Sequence, residues 1–240
     1  MSASLTTSLL DFRQPARAGA SLAALDWLPG AGLAEGRMLR DQPEHGYAVA
    51  EAELSAFAGT VPPLGKHVFL LVQAGAVTVG SETVEAGETI VLPRGFAGAW
   101  DNAAGTRLVV MSYVGEAPGE GAAPAPVRPD LTSPLEPCGG PSAALLTTTA
   151  PRCAKRMSFE DSTEQFEIGV WGSTPYARKP NAFGHDELMF LLEGAVTITD
   201  PDGIASTFRA GEGFLIPRGT PCAWENTVPV KKVFVCFSEA

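Results

Sequence analysis

Short runs of apolar residues separated by turn residues recur along the chain, and the same series of runs occurs twice. The first copy predicts strands over residues 47–57, 67–72, 75–79, 89–92 and 108–113. The second copy predicts strands over residues 166–173, 187–192, 195–199, 213–216 and 233–237. Glycine and proline separate these runs, and helical periodicity is almost absent. Many short strands with such punctuation are typical of an all-β sandwich or barrel.

The two copies also align residue by residue. Residues 65–79 lie over residues 184–198 without a gap, and shorter matches join 86–95 with 210–219 and 99–102 with 223–226. Between the copies, residues 115–130 contain four prolines and three glycines, a composition that predicts a semi-extended linker. We therefore predict two domains, residues 1–114 and 131–240, each large enough to form its own hydrophobic core.

The charge and the cysteines argue against several classes of function. The formal net charge is −10, whereas proteins that bind nucleic acids or anionic membranes need clustered positive charge. No apolar run approaches the length of a membrane span, and the first residues do not resemble a signal peptide. The four cysteines lack the C-x-x-C spacing of zinc ribbons and redox dithiols. We predict a soluble, cytoplasmic protein with reduced thiols, a small-molecule ligand, and no nucleic-acid or membrane partner.

The spacing of charged and turn residues in the second copy resembles the two sequence motifs of the cupin superfamily. Glu187 is followed after six residues by Gly194, and Gly211 is followed after five residues by Pro217-Arg218-Gly219. The resemblance implies a bicupin, an all-β chain of two tandem jelly-roll barrels that form an intramolecular pseudo-dimer. The sequences around Glu187 and Trp224 are also similar to the ureidoglycine aminohydrolase-like subgroup, in which many proteins have no assigned function.

Metal-binding cupins supply a His-x-His pair and a glutamate from the first motif and one more histidine from the second. Carried over to this chain, Glu187 occupies the glutamate position, residues 180–183 hold no histidine, and Cys222 stands at the last histidine position. His185 lies two residues before Glu187, which on a regular strand places both side chains on one face. The resemblance implies either a divergent centre of His185, Glu187 and Cys222 for one Zn, Mn or Fe ion, or a pocket without metal. In that second interpretation Glu187 is a hydrogen-bonding or acid–base group, and Cys222 is a small buried apolar residue.

The first copy has Val68 at the glutamate position and Gly98 at the last histidine position, so we expect a metal-free first barrel. We place the ligand site in the second barrel, around a catalytic Glu187, with the candidate pocket residues His185, Trp224, Tyr176, Arg218 and Asn226.

Two functions stay open at this point. One is a bicupin that binds a small polar metabolite in its C-terminal barrel, with a degenerate or absent metal site. The other is a metal-dependent hydrolase similar to ureidoglycine aminohydrolase, acting on a small ureido or amino-acid-like substrate. The sequence therefore does not decide whether the protein is an enzyme. It is equally compatible with a monomer and with a homodimer.

Overall fold

A computed structural model describes residues 9–13, 33–116 and 124–239, in which nearly all regular structure is β-strand. The exception is one 3-10 turn at Pro43–His45, so these residues contain no helix that could cross a membrane. The described residues form two compact units. Residues 33–116, 124–129 and 159–166 belong to the first unit, and residues 9–13, 130–158 and 167–239 belong to the second. The predicted all-β fold of two tandem jelly-roll barrels is confirmed.

In chain order, the strands of the described residues are β1 (Leu10–Asp11), β2 (Leu33–Gln42), β3 (Tyr47–Leu54), β4 (Phe57–Val61), β5 (His67–Ala74), β6 (Ala76–Val79), β7 (Glu82–Glu85), β8 (Thr89–Leu92), β9 (Gly98–Asn102), β10 (Thr106–Tyr113), β11 (Glu136–Cys138), β12 (Cys153–Glu160), β13 (Phe166–Ser173), β14 (Tyr176–Ala182), β15 (Asp186–Glu193), β16 (Ala195–Thr199), β17 (Ala205–Arg209), β18 (Gly213–Ile216), β19 (Pro221–Asn226) and β20 (Val230–Phe237).

Each barrel consists of two sheets. In the first barrel a five-stranded sheet has the order β2-β3-β10-β5-β8, and a four-stranded sheet has the order β4-β9-β6-β7. The second barrel repeats this topology with β12-β13-β20-β15-β18 and β14-β19-β16-β17, and its larger sheet carries β1 and β11 at its two edges. The sequence repeat is thus a repeat of topology.

The inward faces of the strands form one apolar core in each barrel. In the first barrel that core includes Val68, Leu70, Trp100 and Leu108, which are at most 1% exposed. The pairing of β5 with β10 places Leu108 opposite Val72, and Ser112 opposite Val68. Because side chains of directly opposite residues share a face, this register determines which residues meet inside the barrel.

A glycine closes the same tight hairpin in both barrels. Gly75, between β5 and β6, has φ +75°, and Gly194, between β15 and β16, has φ +78°. A Cβ added to Gly194 would lie 2.2 Å from the carbonyl oxygen of Pro229, so a side chain is excluded by contact as well as by conformation. The positive φ at this turn explains why both copies of the repeat have a glycine directly before the short strand.

Several short strands that the hydrophobic pattern did not predict complete the barrels, such as β7 and β17. The most distant of them is β1, which we had assigned with residues 1–114 to the first barrel. It pairs instead with β18 of the second unit, with Leu10 opposite Leu215. Two residues are too few for a periodic signal, so only the pairing reveals this strand. Within the predicted linker, Val127 exchanges two 2.8 Å backbone hydrogen bonds with Val91.

Candidate functional site

The candidate site lies on the inward faces of β15 and β20. The register of this strand pair places Cys236 opposite Glu187 and Lys232 opposite Leu191. Residues two apart on a strand share a face, so Glu187, Met189 and Leu191 face the interior together with Lys232 and Cys236. Met189 and Leu191 belong to the apolar core of the second barrel, which makes the charged residues beside them exceptional.

Glu187 and Lys232 form a buried ion pair. The Nζ atom of Lys232 lies 2.7 Å from Oε1 of Glu187, and the side chains are 6% and 12% exposed respectively. Burial alone would raise the pKa of Glu187, but the charges and hydrogen bonds of Lys232 and His185 together outweigh it and lower this pKa to about 2. Glu187 is therefore a carboxylate at neutral pH, with its charge held in place by Lys232.

His185 connects this pair to the solvent. Its Nε2 atom lies 3.4 Å from Oε2 of Glu187, and its side chain is 36% exposed. Burial acts to lower the pKa of His185, but the hydrogen bond and negative charge of Glu187 prevail and raise it. The ring packs edge-on against Phe183, with the ring centroids 6.2 Å apart. His185 can thus deliver or accept a proton at the entrance, while Glu187 stays ionised behind it.

Aromatic rings enclose the ammonium group of Lys232. Its Nζ atom lies 4.9 Å from the ring centroid of Trp171 and 5.2 Å from that of Trp224. The two indoles meet edge to face, and Tyr176 stacks on Trp224 with an interplanar angle of 17°, so the three rings form an aromatic wall. Rings at this distance stabilise a cation through their negative faces. They also limit the hydration of the ammonium group, so its charge depends on Glu187 and on the ring faces for stabilisation.

The side chains of His185, Glu187 and Cys236 together meet the geometric requirement for a metal site. Their ligand atoms all lie within 4.8 Å of one another. Imidazole, carboxylate and thiolate are ligands of Zn²⁺ and of other transition metals. The sequence had suggested Cys222 as the third donor. Cys236 takes that place because it lies directly opposite Glu187, whereas Cys222 is on β19 in the other sheet.

The charges of this cluster fit a metal ion poorly. Burial and the charge of Glu187 raise the pKa of Cys236 well above its ordinary value, so metal binding at this sulfur would first require the loss of the thiol proton. Lys232 already supplies a positive charge to the Glu187 carboxylate, 2.7 Å away. A divalent ion on the same carboxylate would face that ammonium group at short range, which is electrostatically unfavourable.

Cys222 and Asn226, two other predicted site residues, have structural partners. The carbonyl oxygen of Cys222 accepts a 2.8 Å hydrogen bond from the guanidinium of Arg178. Asn226 accepts one from Nε1 of Trp224 at 2.9 Å and donates to the carbonyl oxygen of Val228 at 2.8 Å. Asn226 therefore holds the Trp224 ring and the following turn in place.

Arg218 and Tyr176 differ in their relation to the buried ion pair. The guanidinium of Arg218 forms an ion pair with Glu239, and its side chain is 44% exposed. Tyr176 lies in the aromatic wall, where burial raises the pKa of its phenol. Of the predicted pocket residues, the structure thus gathers His185, Glu187, Trp224 and Tyr176 around one point.

Sequence reasoning missed the two residues that complete the site, Lys232 and Trp171. The apolar run of β20 had been started at Val233, which left Lys232 outside it. A signal did exist, because the gap-free alignment of the β10 sequence with the β20 sequence sets Lys232 against Leu108 of the first copy. A lysine at a position where the other copy has a core leucine indicates a charge inside the second barrel.

Comparison with known proteins agrees with this architecture. Residues 160–234 match the family model of the EutQ-like cupin domain. A protein of unknown function from Pseudomonas syringae pv. tomato, placed in the DUF861 family, is 26% identical with a TM-score of 0.73, over 83% of this chain and 85% of its own. No curated protein sequence matches the chain.

Two more distant solved structures share the fold. A cupin 2 conserved barrel domain protein from Leptotrichia buccalis is 12% identical with a TM-score of 0.56, over 87% of this chain and 90% of its own. The protein Ylba from E. coli is 13% identical with a TM-score of 0.51, over 88% of this chain and 85% of its own. With the repeated jelly-roll topology and the motif spacing around Glu187, these findings identify the chain as a two-barrel member of the cupin superfamily.

Proposed function

We propose that the C-terminal barrel binds a small polar metabolite that carries an anionic group, and that it does so without a metal cofactor. The observation that carries this proposal is the ammonium group of Lys232, buried inside the barrel and 2.7 Å from Glu187. A buried charge is costly unless it is paired and used, and ionisable groups in such positions are concentrated at functional sites.

The charges around the pair favour an anionic ligand. Lys232 and Arg178 are cationic, and His185, with its raised pKa, adds a positive charge in part of the population near neutral pH. Glu187 is the opposing charge beside them, and the charges of Glu167 and Lys155, which also act on Cys236, have opposite signs and offset each other. The cluster is thus locally positive within a chain whose net charge is −10. Lys232 donates to Glu187 and to Sδ of Met189, so a ligand carboxylate would accept its third N–H, and Trp171 and Trp224 would pack against the apolar part of the ligand.

A specific observation also supports the metal-dependent alternative. His185, Glu187 and Cys236 lie close enough to act as ligands together, and a metal-dependent hydrolase would use such a centre. When bound, the ion would polarise a substrate carbonyl, while His185 and Glu187 would serve as ligands. Elemental analysis by mass spectrometry of tag-free protein purified without chelators separates the two functions. Near-stoichiometric Zn, Mn or Fe that disappears in Glu187→Gln would favour the hydrolase and overturn the metal-free proposal.

Ligand titration tests the proposal directly. We expect at least one of a set of short carboxylates to change the tryptophan fluorescence, while the matched neutral amide does not. Lys232→Met should abolish this response because it removes the cation at nearly constant volume. Leu108→Met at the equivalent position of the first barrel is the matched control and should keep it. Equal binding of amides and carboxylates, or binding retained in Lys232→Met, would overturn the proposal.

A further inference from the structure

We propose that Cys138 and Cys153 form a redox modification site, at which a hydroperoxide converts the two thiols into a cross-strand disulfide. The residues lie on neighbouring strands of the second unit, and the register of β11 with β12 places them directly opposite each other. Both are free thiols in the structure. Their separation in the sequence matches no dithiol motif, so only the strand pairing brings them together.

The geometry of the strand pair suits a disulfide. Directly opposite residues of antiparallel strands have Cα atoms about 4.5–5.5 Å apart, with both side chains on one face. Disulfides join Cα atoms roughly 4.4–6.8 Å apart, so the bond needs no change of backbone pairing. Consistent with this closeness, burial raises the pKa of the Cys153 thiol, and electrostatic repulsion from Cys138 raises it further.

The exposure of the two sulfurs sets the order of the reaction. Cys138 is partly exposed and Cys153 is buried, so the hydroperoxide reaches Cys138 first. Attack of this sulfur on the peroxide breaks the O–O bond and gives a sulfenic acid, with water or an alcohol as the reduced product. The sulfur of Cys153 then attacks that of Cys138, forming the S–S bond and breaking the S–O bond. The hydroxyl group leaves as water with the proton of Cys153.

The disulfide would close a loop that lies against the candidate site. Residues 139–152 connect the two cysteines, and their middle part is hydrogen-bonded to β14. Thr147 N–H donates to the carbonyl oxygen of Ala177 at 3.0 Å, and Lys179 N–H donates to that of Leu145 at 2.9 Å. These two contacts flank Arg178, and β14 begins with Tyr176 of the aromatic wall. Oxidation would therefore fasten the segment that covers this edge of the site.

Peptide mapping of the full chain tests the proposal. After treatment of the folded protein with hydrogen peroxide and alkylation of the remaining thiols, we expect a peptide that links Cys138 to Cys153. Two of the four cysteines should then resist alkylation, while Cys222 and Cys236 stay alkylatable after unfolding. Cys138→Ser should lose the linked peptide, and Cys222→Ser should keep it. Free thiols at both positions, or linkage to Cys222 or Cys236, would overturn the proposal.

Hydrogen exchange tests the effect of the bond on the site. The amides of Thr147 and Lys179 should exchange more slowly in the oxidised protein than in the reduced one, because the closed loop opens less often. Cys138→Ser treated in the same way should show no such slowing. A linked protein with unchanged exchange at these amides would overturn the inferred connection between the disulfide and the site.

Discussion

The interiors of the two barrels differ in chemical character at three matched positions, although the strand topology and register around them are the same. Where the second barrel has Glu187, Lys232 and Cys236, the first has Val68, Leu108 and Ser112. Val68 and Leu108 are fully buried in an apolar core, and Glu51, a buried carboxylate of the same unit, pairs with Arg37 and takes the place of neither. The comparison shows that the barrel does not need an internal charge to fold. The ion pair of the second barrel is therefore better explained by ligand binding than by stability.

A fourth matched position shows the opposite case, in which different residues have the same structural role. In the first barrel Nδ1 of His67 accepts a 3.0 Å hydrogen bond from the backbone N–H of Arg94. In the second, Oδ1 of Asp186 accepts a 2.6 Å hydrogen bond from the N–H of Arg218. Both acceptors hold the Pro-Arg-Gly turn that follows β8 in the first barrel and β18 in the second. The position of His67 and Asp186 is therefore structural in both barrels. At the next position the barrels differ, because Val68 is a core residue and Glu187 is a site residue.

We expect the largest loss of stability when a lysine is placed in the core of the first barrel. Leu108→Lys places an unpaired ammonium group in the apolar core of the first barrel and should cost on the order of 3–5 kcal/mol of unfolding free energy. Adding Val68→Glu should recover part of this loss, because the two positions match those of Lys232 and Glu187. Urea unfolding of the single and double variants measures the recovery. Simple addition of the two losses would mean that the first barrel cannot reproduce the pair.

Removal of the Lys232 cation should cause a somewhat smaller loss of stability. Lys232→Met leaves Glu187 buried without its partner and should cost about 3 kcal/mol. The double variant Glu187→Gln, Lys232→Met should be less destabilised than Lys232→Met alone, since no unpaired charge remains. Leu108→Met is the matched control and should cost less than about 1.5 kcal/mol. Equal losses in Lys232→Met and in the double variant would indicate that the charges are not coupled.

The smallest effect is a difference in acid sensitivity. The pKa of Glu187 is lowered from 4.5 to about 2, so its contribution to stability is complete above pH 4.5 and is lost as the pH falls toward 2. Urea midpoints across this range should fall less steeply in Glu187→Gln than in the wild-type protein. Glu193→Gln removes an exposed carboxylate from the same strand and should leave the slope unchanged. Parallel curves for the wild-type protein and Glu187→Gln would contradict the lowered pKa.

Much of the fold could be predicted from local patterns. The strands Thr89–Leu92, Ala195–Thr199 and Gly213–Ile216 begin and end where the apolar runs do, because their length is set by turn residues on both sides. The edge strand Leu10–Asp11 could not be predicted, since its pairing partner, Leu215–Phe214, lies about two hundred residues away in the chain. A strand of two residues is stabilised by its neighbour and has no period of its own.

The candidate site was predictable only in part, and for a related reason. His185 and Glu187 are two residues apart on one strand, so the period of a strand was enough to bring them together. Whether Cys222 or Cys236 would join them depended on which strand lies beside β15. Nothing within β20 distinguishes Lys232 from the partly exposed Lys231 before it, so only its alignment with Leu108 of the first copy could have indicated its place, and the register with β15 was needed to find its partner.

The sequence by itself determined that the chain is all-β and contains two copies of one unit, because hydrophobic period, turn residues and the internal repeat can be read without contacts. Its resemblance to the cupins implied two jelly-roll barrels and a first barrel without the ligand residues of metal-binding cupins. The tertiary structure alone decided that Lys232 and Glu187 form an ion pair beside two indole rings, and that Cys138 faces Cys153. These contacts depend on strand register, and register is determined by the packing of whole sheets, not by neighbouring residues in the chain.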